Sequence, residues 1–188
     1  MALGTGREVT PSDYAMHRYS LTIALAFALS ISAVACGSTP RTIPGTRVTD
    51  NQANRDIIEV IEKYRLAVER RDAAALFMMA SKKYFEDGGT TDGKDDYGHD
   101  QLRNVLTGRF QHGKDVRYSL RYMNVNRRCP RGKKGQGNDG CRAYVDVLID
   151  ASYTINNAHK RPVRKDKRDQ NQLVLQWEND SWKFLSGM

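Results

Sequence analysis

Three groups of side chains in this chain are of the types that do chemistry. The first is Asp95, Asp96, His99 and Asp100. A histidine among carboxylates has the makings of an acid/base pair, because imidazole titrates near neutral pH and a carboxylate can orient it. The simpler reading of these residues is a solvated loop in which Asp100 caps the helix that follows. The second group is acidic: Asp87, Asp92, Asp95 and Asp96 could supply oxygen ligands to calcium. No Asp-x-Asp-x-Asp-Gly loop can be laid on them, so no metal is expected. The third group is Tyr64, Tyr84, Tyr118, Tyr122 and Tyr153. Their rings and hydroxyls suit a pocket that orients a small, mostly apolar guest, and they suit equally a core whose phenols are hydrogen-bonded. No phosphate-cradling glycine loop, nucleophile elbow or metalloprotease helix occurs, and no cofactor is expected.

The elements that must position these groups change period midway along the chain. Thr49-Asp50-Asn51-Gln52 has the Thr-x-x-Gln form of a capping box. Ile57, Ile61, Tyr64 and Val68 then recur at helical spacing among charged residues, which predicts an amphipathic helix of about five turns. Asp72 caps a second helix, from Ala73 to about Lys82, with Leu76, Phe77 and Ala80 on its apolar side. A glycine-rich acidic loop from Glu86 to Asp96 leads to a third helix, near Asp100 to Phe110. From there the period is two. Val116, Tyr118, Leu120 and Tyr122 form one face of a strand. Cys141, Ala143, Val145, Val147, Ile149, Ala151, Tyr153 and Ile155 form one face of a second strand, with Asp146 and Asp150 on the other. Leu173, Leu175 and Trp177 mark a third strand, and Trp182 and Phe184 a fourth. Asn179-Asp180 fits a two-residue hairpin turn that sets Trp177 opposite Trp182 and Leu175 opposite Phe184.

Helices followed by a curved antiparallel meander with one apolar face make an α+β layer arrangement. From about Asp50 to Met188 the chain resembles the nuclear-transport-factor-2-like superfamily, which includes ketosteroid-isomerase-like and polyketide-cyclase-like domains. The resemblance rests on the long first helix and on Ala67-x-x-x-x-Asp72-x-x-x-Leu76. It rests also on Gly98-His99-Asp100-Gln101-Leu102 and on the closing Trp182-Lys183-Phe184. It implies a cone, with helices covering the concave side of the sheet and any small-molecule site inside. The inward faces of the first two strands offer tyrosines and aliphatics but no carboxylate, which argues against proton-transfer chemistry unless a β-bulge turns Asp146 or Asp150 inward. The expected function is therefore a non-catalytic binding or interaction domain. The alternative is an isomerase- or dehydratase-like enzyme using His99 and Asp100. Two segments depart from the superfamily pattern: a cysteine-closed insertion between strands, and a basic insertion after Asn157.

The beginning of the chain concerns destination rather than chemistry. Arg18 precedes an apolar run from Leu21 to Ala35 that ends Ala33-Val34-Ala35-Cys36-Gly37. This run is shorter than the roughly 20 residues of a spanning helix. It resembles a bacterial lipoprotein signal with its lipobox, although Ala33 stands where leucine is usual. The resemblance implies removal of residues 1–35 and lipidation of Cys36. Gly37, rather than an aspartate, implies the outer membrane, facing the periplasm, in a Gram-negative cell. Met16 makes a cleaner start than Met1, because Glu8 and Asp13 offset Arg7. Residues 36–49, rich in Ser, Thr, Pro and Gly, are expected to be a flexible tether, and residues 50–188 a single domain.

Of the three cysteines, Cys129 and Cys141 then remain as a pair, expected to be oxidised outside the cytosol. Closing so short a loop stabilises by about 3 kcal/mol in the chain-entropy account. The net charge of +8 is concentrated in two expected loops, Arg127 to Lys134 and Lys160 to Arg168. Such clusters could contact anionic polymers. Consecutive connections of a meander fall at opposite ends, so they should not form one groove, and neither has aromatics for stacking bases. The expected partners are the membrane, through the anchor, and a small apolar ligand or envelope component, but not nucleic acid. A homodimer through the polar sheet face of Arg117, Arg121, Arg142, Asp146 and Asp150 is compatible with the pattern.

Overall fold

The computed structural model describes residues 40–88, 90–91, 93–130 and 139–188. The expected signal segment, Met16, Cys36, Asp92, Arg131, Lys133 and Lys134 lie outside the described residues. Helix α1 spans Gln52–Glu69. Its cap is Asn51, whose side chain accepts the Asn54 N–H at 2.9 Å, rather than the expected Thr49. Thr49 is instead bridged to Thr42. Asp72 caps α2, Ala73–Met79, as read, by accepting the Ala75 N–H. Strands β1, Phe85–Glu86, and β2, Tyr97–Gly98, pair across the base of the acidic loop. Helix α3 spans His99–His112, and its N-cap is Gly98, not Asp100. Gln101 does the capping, accepting the Gly98 N–H at 3.1 Å and leaving Asp100 in the first turn.

The main sheet is a meander in the order β3-β4-β5-β6, comprising Lys114–Arg128, Arg142–Asn156, Pro162–Glu178 and Ser181–Ser186. Trp177 pairs with Trp182 and Leu175 with Phe184, the register read from the sequence. Asn179 and Asp180 both take the left-handed conformation of a type I′ turn, with φ of 49° and 58°. A bulge at Met123 lies on β3, between Tyr122 and Asn124. β4 pairs with β5 without interruption from Arg142 to Asn156, so Asp146 and Asp150 stay on the outer face. There Asp150 meets Arg168 and Asp146 meets Gln172.

Two expectations change. The basic stretch after Asn157 is not a loop: only residues 157–161 turn, and β5 begins at Pro162. Arg164, Lys165, Lys167 and Arg168 therefore lie on a strand beside the far end of β4, away from Arg127 and Arg128 at the end of β3. The presumed tether also ends early. Residues 41–49 form a hairpin closed by Ile43 N–H to Val48 O at 2.9 Å and Asp50 N–H to Arg41 O at 2.7 Å. Val48 is buried in the core, and the Arg47 N–H reaches Tyr122 O.

The core forms where helices cover the sheet: Ile57, Ile61, Leu76, Leu102, Val145, Val147, Leu173, Leu175 and Phe184 are fully enclosed. Both sheet edges are closed by the chain itself. Along β6, Ser81 N–H donates to Phe184 O at 2.8 Å, next to an Ala80–Phe184 bridge. Along β3 the partner is α1. Glu69 accepts the Tyr118 N–H at 3.0 Å, and Arg65 donates to Tyr118 O at 3.2 Å. Arg65 is held in turn by Glu62 at 2.7 Å and Glu69 at 2.9 Å, and Glu62 accepts the Tyr122 hydroxyl at 2.6 Å. Cys129 and Cys141 are bonded as a disulfide, as the sequence suggests. Among the described residues, no helix is long and apolar enough to cross a membrane.

Replacing Glu69 by alanine removes the partner of a strand N–H and one ligand of Arg65. It should lower unfolding stability by about 1–3 kcal/mol, read as a lower urea midpoint. Glu59→Ala, which breaks an exposed pair with Lys63, should cost about 0.5 kcal/mol or less. Equal effects for the two would show that α1 does not hold the β3 edge.

Candidate binding cavity

The pairing register lays the concave face of the sheet out in rows. Tyr118, Ala151 and Lys167 stand side by side across β3, β4 and β5. Leu120, Ile149 and Asp169 form the next row, and Tyr122, Val147 and Asn171 the one after. Beyond these come Val125, Val145 and Leu173, wholly apolar and covered by the helices. The polar rows lie where helical cover thins. There a cavity of about 260 Å³ opens between sheet and helices. Its apolar wall is made by Val68, Leu76, Leu106, Phe110, Ile149 and Ala151. Its polar groups are Tyr64, Tyr118, Arg109, Lys167, Asp169 and Asn171.

The two phenols are linked: Tyr64 Oη and Tyr118 Oη are 3.3 Å apart, with the rings edge-on at 86°. Burial pushes both hydroxyls above the ordinary tyrosine range, Tyr64 well above. They are neutral at physiological pH. When one donates to the other, the second keeps its proton free for a guest. Lys167 and Asp169, two apart on β5, form an ion pair of 2.9 Å. Its hydrogen bond holds Asp169 below the usual carboxylate range and raises Lys167. Such a carboxylate is ionised and is a weak base; proton abstraction near neutral pH is served by a carboxyl tuned upward.

The opposite side is closed by the end of the sequence. Gly187, at φ 90°, passes so close to Gln172 O that an added Cβ would lie 2.5 Å from it, so only glycine fits. Glu86 accepts the Gly187 N–H at 2.7 Å, and Asn171 donates to Gly187 O at 2.9 Å. Arg109 donates to Met188 O at 3.3 Å and to the Tyr97 hydroxyl at 3.1 Å.

The structure thus brings two of the five expected pocket tyrosines, Tyr64 and Tyr118, to the cavity wall. Tyr84 is buried behind it, donating to Glu86 at 2.6 Å and accepting the Met188 N–H at 3.2 Å, so it props the wall without lining it. Tyr122 is consumed by Glu62 in the core, and half-buried Tyr153 lies against Gly113. His99 and Asp100 are not in the cavity. The His99 ring is buried 4.5 Å from Phe77, whereas the Asp100 side chain is exposed. His99 Nδ1 is 3.6 Å from the Asp100 carboxylate, too far for the hydrogen bond an acid/base pair needs. Cys129 and Cys141 lie away from the cavity lining, in their disulfide. In the acidic loop Thr90 donates to Asp95 and the Gly88 N–H to Asp96. No group of three or more His, Cys, Asp or Glu side chains able to hold a metal occurs among the described residues.

Sequence reasoning missed Lys167, Asp169, Asn171 and Arg109. Counting back by twos from Leu173 gives Asn171, Asp169 and Lys167, so the signal was there once β5 was known to begin before Leu173.

No family model matches the chain, and no curated protein matches it. Solved structures do. A ketosteroid isomerase-like protein from Erwinia carotovora atroseptica superposes with a TM-score of 0.54 at 17% identity, over 73% of this chain and 95% of that one. A conserved protein from Planctomyces limnophilus gives 0.53 at 9%, over 72% and 92%. A putative scytalone dehydratase from Novosphingobium aromaticivorans gives 0.51 at 13%, over 72% and 80%. At these identities the likeness is one of fold: the helix-covered cone expected from the sequence.

Burial raises four tyrosines, Tyr64, Tyr84, Tyr118 and Tyr122. In the unfolded chain these phenols ionise near pH 10, whereas the folded chain keeps them protonated. Stability is therefore unaffected below about pH 10 and falls as pH rises beyond it. Absorbance titration should show part of the tyrosines ionising only together with alkaline unfolding. Smooth ionisation of every tyrosine near pH 10, with the fold intact, would contradict the burial.

Proposed function

We propose that this chain is a lipid-anchored protein of the bacterial envelope whose cone binds a small, mostly apolar molecule carrying a hydrogen-bonding group, without transforming it. One observation carries the binding reading: an apolar cavity of about 260 Å³ whose inner polar feature is a pair of neutral, mutually bonded phenols. Its size is just under the about 300 Å³ at the lower end of ordinary ligand pockets. Val68, Leu106, Phe110, Ile149 and Ala151 would exclude water from the guest. The Tyr64–Tyr118 pair would meet its carbonyl or hydroxyl, and the Lys167–Asp169 pair and Arg109 would face a polar end toward solvent.

The lipobox-like segment ending at Cys36 supports anchoring, and the Cys129–Cys141 disulfide is compatible with export. A second reading, an isomerase- or dehydratase-like enzyme, has one observation in its favour: Asp169 reaches the cavity wall. The lowered pKa of that carboxyl and the distance of His99 from the cavity weigh against it.

Anilinonaphthalene sulfonate serves as the probe of an apolar site. Ala151→Phe puts a ring into the cavity and should lower probe affinity at least roughly tenfold, with unchanged circular dichroism. Tyr118→Phe should weaken a hydroxyl- or carbonyl-bearing guest by about 1 kcal/mol, close to fivefold. Full binding by Ala151→Phe would place the site elsewhere.

A further inference from the structure

Outside the cavity, the hairpin of residues 41–49 stands out for its charge and its place in the chain. It carries Arg41 and Arg47, both exposed, and no acid between Pro40 and Thr49. Acids nearby are already paired: Asp50 with Arg55 at 2.6 Å and Glu59 with Lys63 at 2.7 Å. Its tip, Gly45, borders with Arg121 a broad open groove on the outer face of the sheet, where Asp150 is paired with Arg168. The hairpin is fixed to the domain through buried Val48 and the Arg47–Tyr122 backbone bond.

The anchoring point is close by. Had residues 36–49 been a free tether, the domain could stand roughly 45 Å from the lipid. The hairpin begins at Arg41, and the five Cα steps that separate it from Cys36 in the sequence can span at most about 18 Å. That is comparable to the radius of gyration of a domain this size, about 15 Å. With Cys36 acylated, a connection this short would keep the domain close to the bilayer, with the arginines of the hairpin nearest the attachment. Those arginines fall within reach of headgroup charge, which extends about a Debye length, roughly 8 Å.

We infer that the hairpin of residues 41–49 is the membrane-facing surface of this domain, with Arg41, Arg47 and Arg121 resting on anionic phospholipid headgroups. The inference rests on anchoring at Cys36.

The test uses the acylated protein in vesicles of phosphatidylethanolamine with about a quarter phosphatidylglycerol, the anionic lipid that supplies the surface charge. A donor dye is placed at Thr42→Cys or at His159→Cys, and the acceptor dye is on the lipid. Position 159 lies beyond the end of β4, roughly 30 Å along the strand from Val147, the partner of Tyr122. Energy transfer should be roughly threefold higher from position 42 than from 159, as charge at the surface holds the hairpin down. Inserting a Gly/Ser segment after Thr39 should leave this difference in place, and adding R41E/R47E to that variant should abolish it. Equal transfer from both positions in an acylated protein would overturn the inference, as would a difference that survives R41E/R47E in the lengthened chain. Intact mass of the same sample separates the two readings: a mass without the acyl group would overturn the anchoring itself, and the argument from the short connection with it.

Discussion

The cone depends on one contact, the strip of Glu62, Arg65 and Glu69 on α1 laid along the open edge of β3. A sheet edge presents unpaired N–H and C=O groups, and a helix alongside cannot satisfy them with its own backbone. Here side chains supply the second row of hydrogen bonds: Glu69 to the Tyr118 N–H, Arg65 to its C=O, and Glu62 to the Tyr122 hydroxyl. Arg65 is largely covered, a costly place for a charge unless it is paired. Its two carboxylates, at 2.7 and 2.9 Å, offset that cost. The strip also fixes the rotation of α1, because holding residues 62, 65 and 69 against the strand sends Ile57, Ile61 and Tyr64 into the concave side. Tyr64 then meets Tyr118 and packs 5.1 Å from Phe184.

The character of the cavity follows from where the helices stop. The rows of Val145 and Leu173 belong to one buried cluster with residues of all three helices and pack as ordinary core. One strand end further on, β5 continues past β6, and its inward positions Asn171, Asp169 and Lys167 need not be apolar because water reaches them. Within one sheet face the chain passes from sealed core to half-wet cavity. The acid there is tied to a lysine and the phenols are held neutral, an arrangement that recognises a polar group but is poorly set to move a proton.

Much of this could be read from residue order, and the misreadings have physical causes. The alternation in Cys141–Ile155 gave β4 its buried face, and Asn179-Asp180 fixed the β5–β6 register, because turn length and two aromatic pairs agreed. The first half of β5 was hidden: Arg164 to Gln170 is polar on both faces, and a strand paired through its backbone to β4 needs no apolar face to persist. The hairpin of residues 41–49 has linker composition, and only Ile43 and Val48 hinted that it docks. Which tyrosines would line the cavity was not legible, since Tyr84, Tyr118 and Tyr122 differ mainly in their partners. Tyr84 and Tyr122 have carboxylates, Glu86 and Glu62, while Tyr118 has another phenol. Those partners lie far away in the chain for Tyr118 and Tyr122, and for Tyr84 only two residues on.

The central claim is that the cone holds a small molecule and leaves it unchanged. Native mass spectrometry of the protein isolated gently from its native cells tests this directly. The account predicts a discrete non-covalent adduct that Ala151→Phe loses and Asp169→Asn keeps, with the released molecule identical in mass to the one that rebinds. A bare protein across all extractions, or a bound molecule whose mass changes on incubation unless Asp169 is replaced, would contradict it.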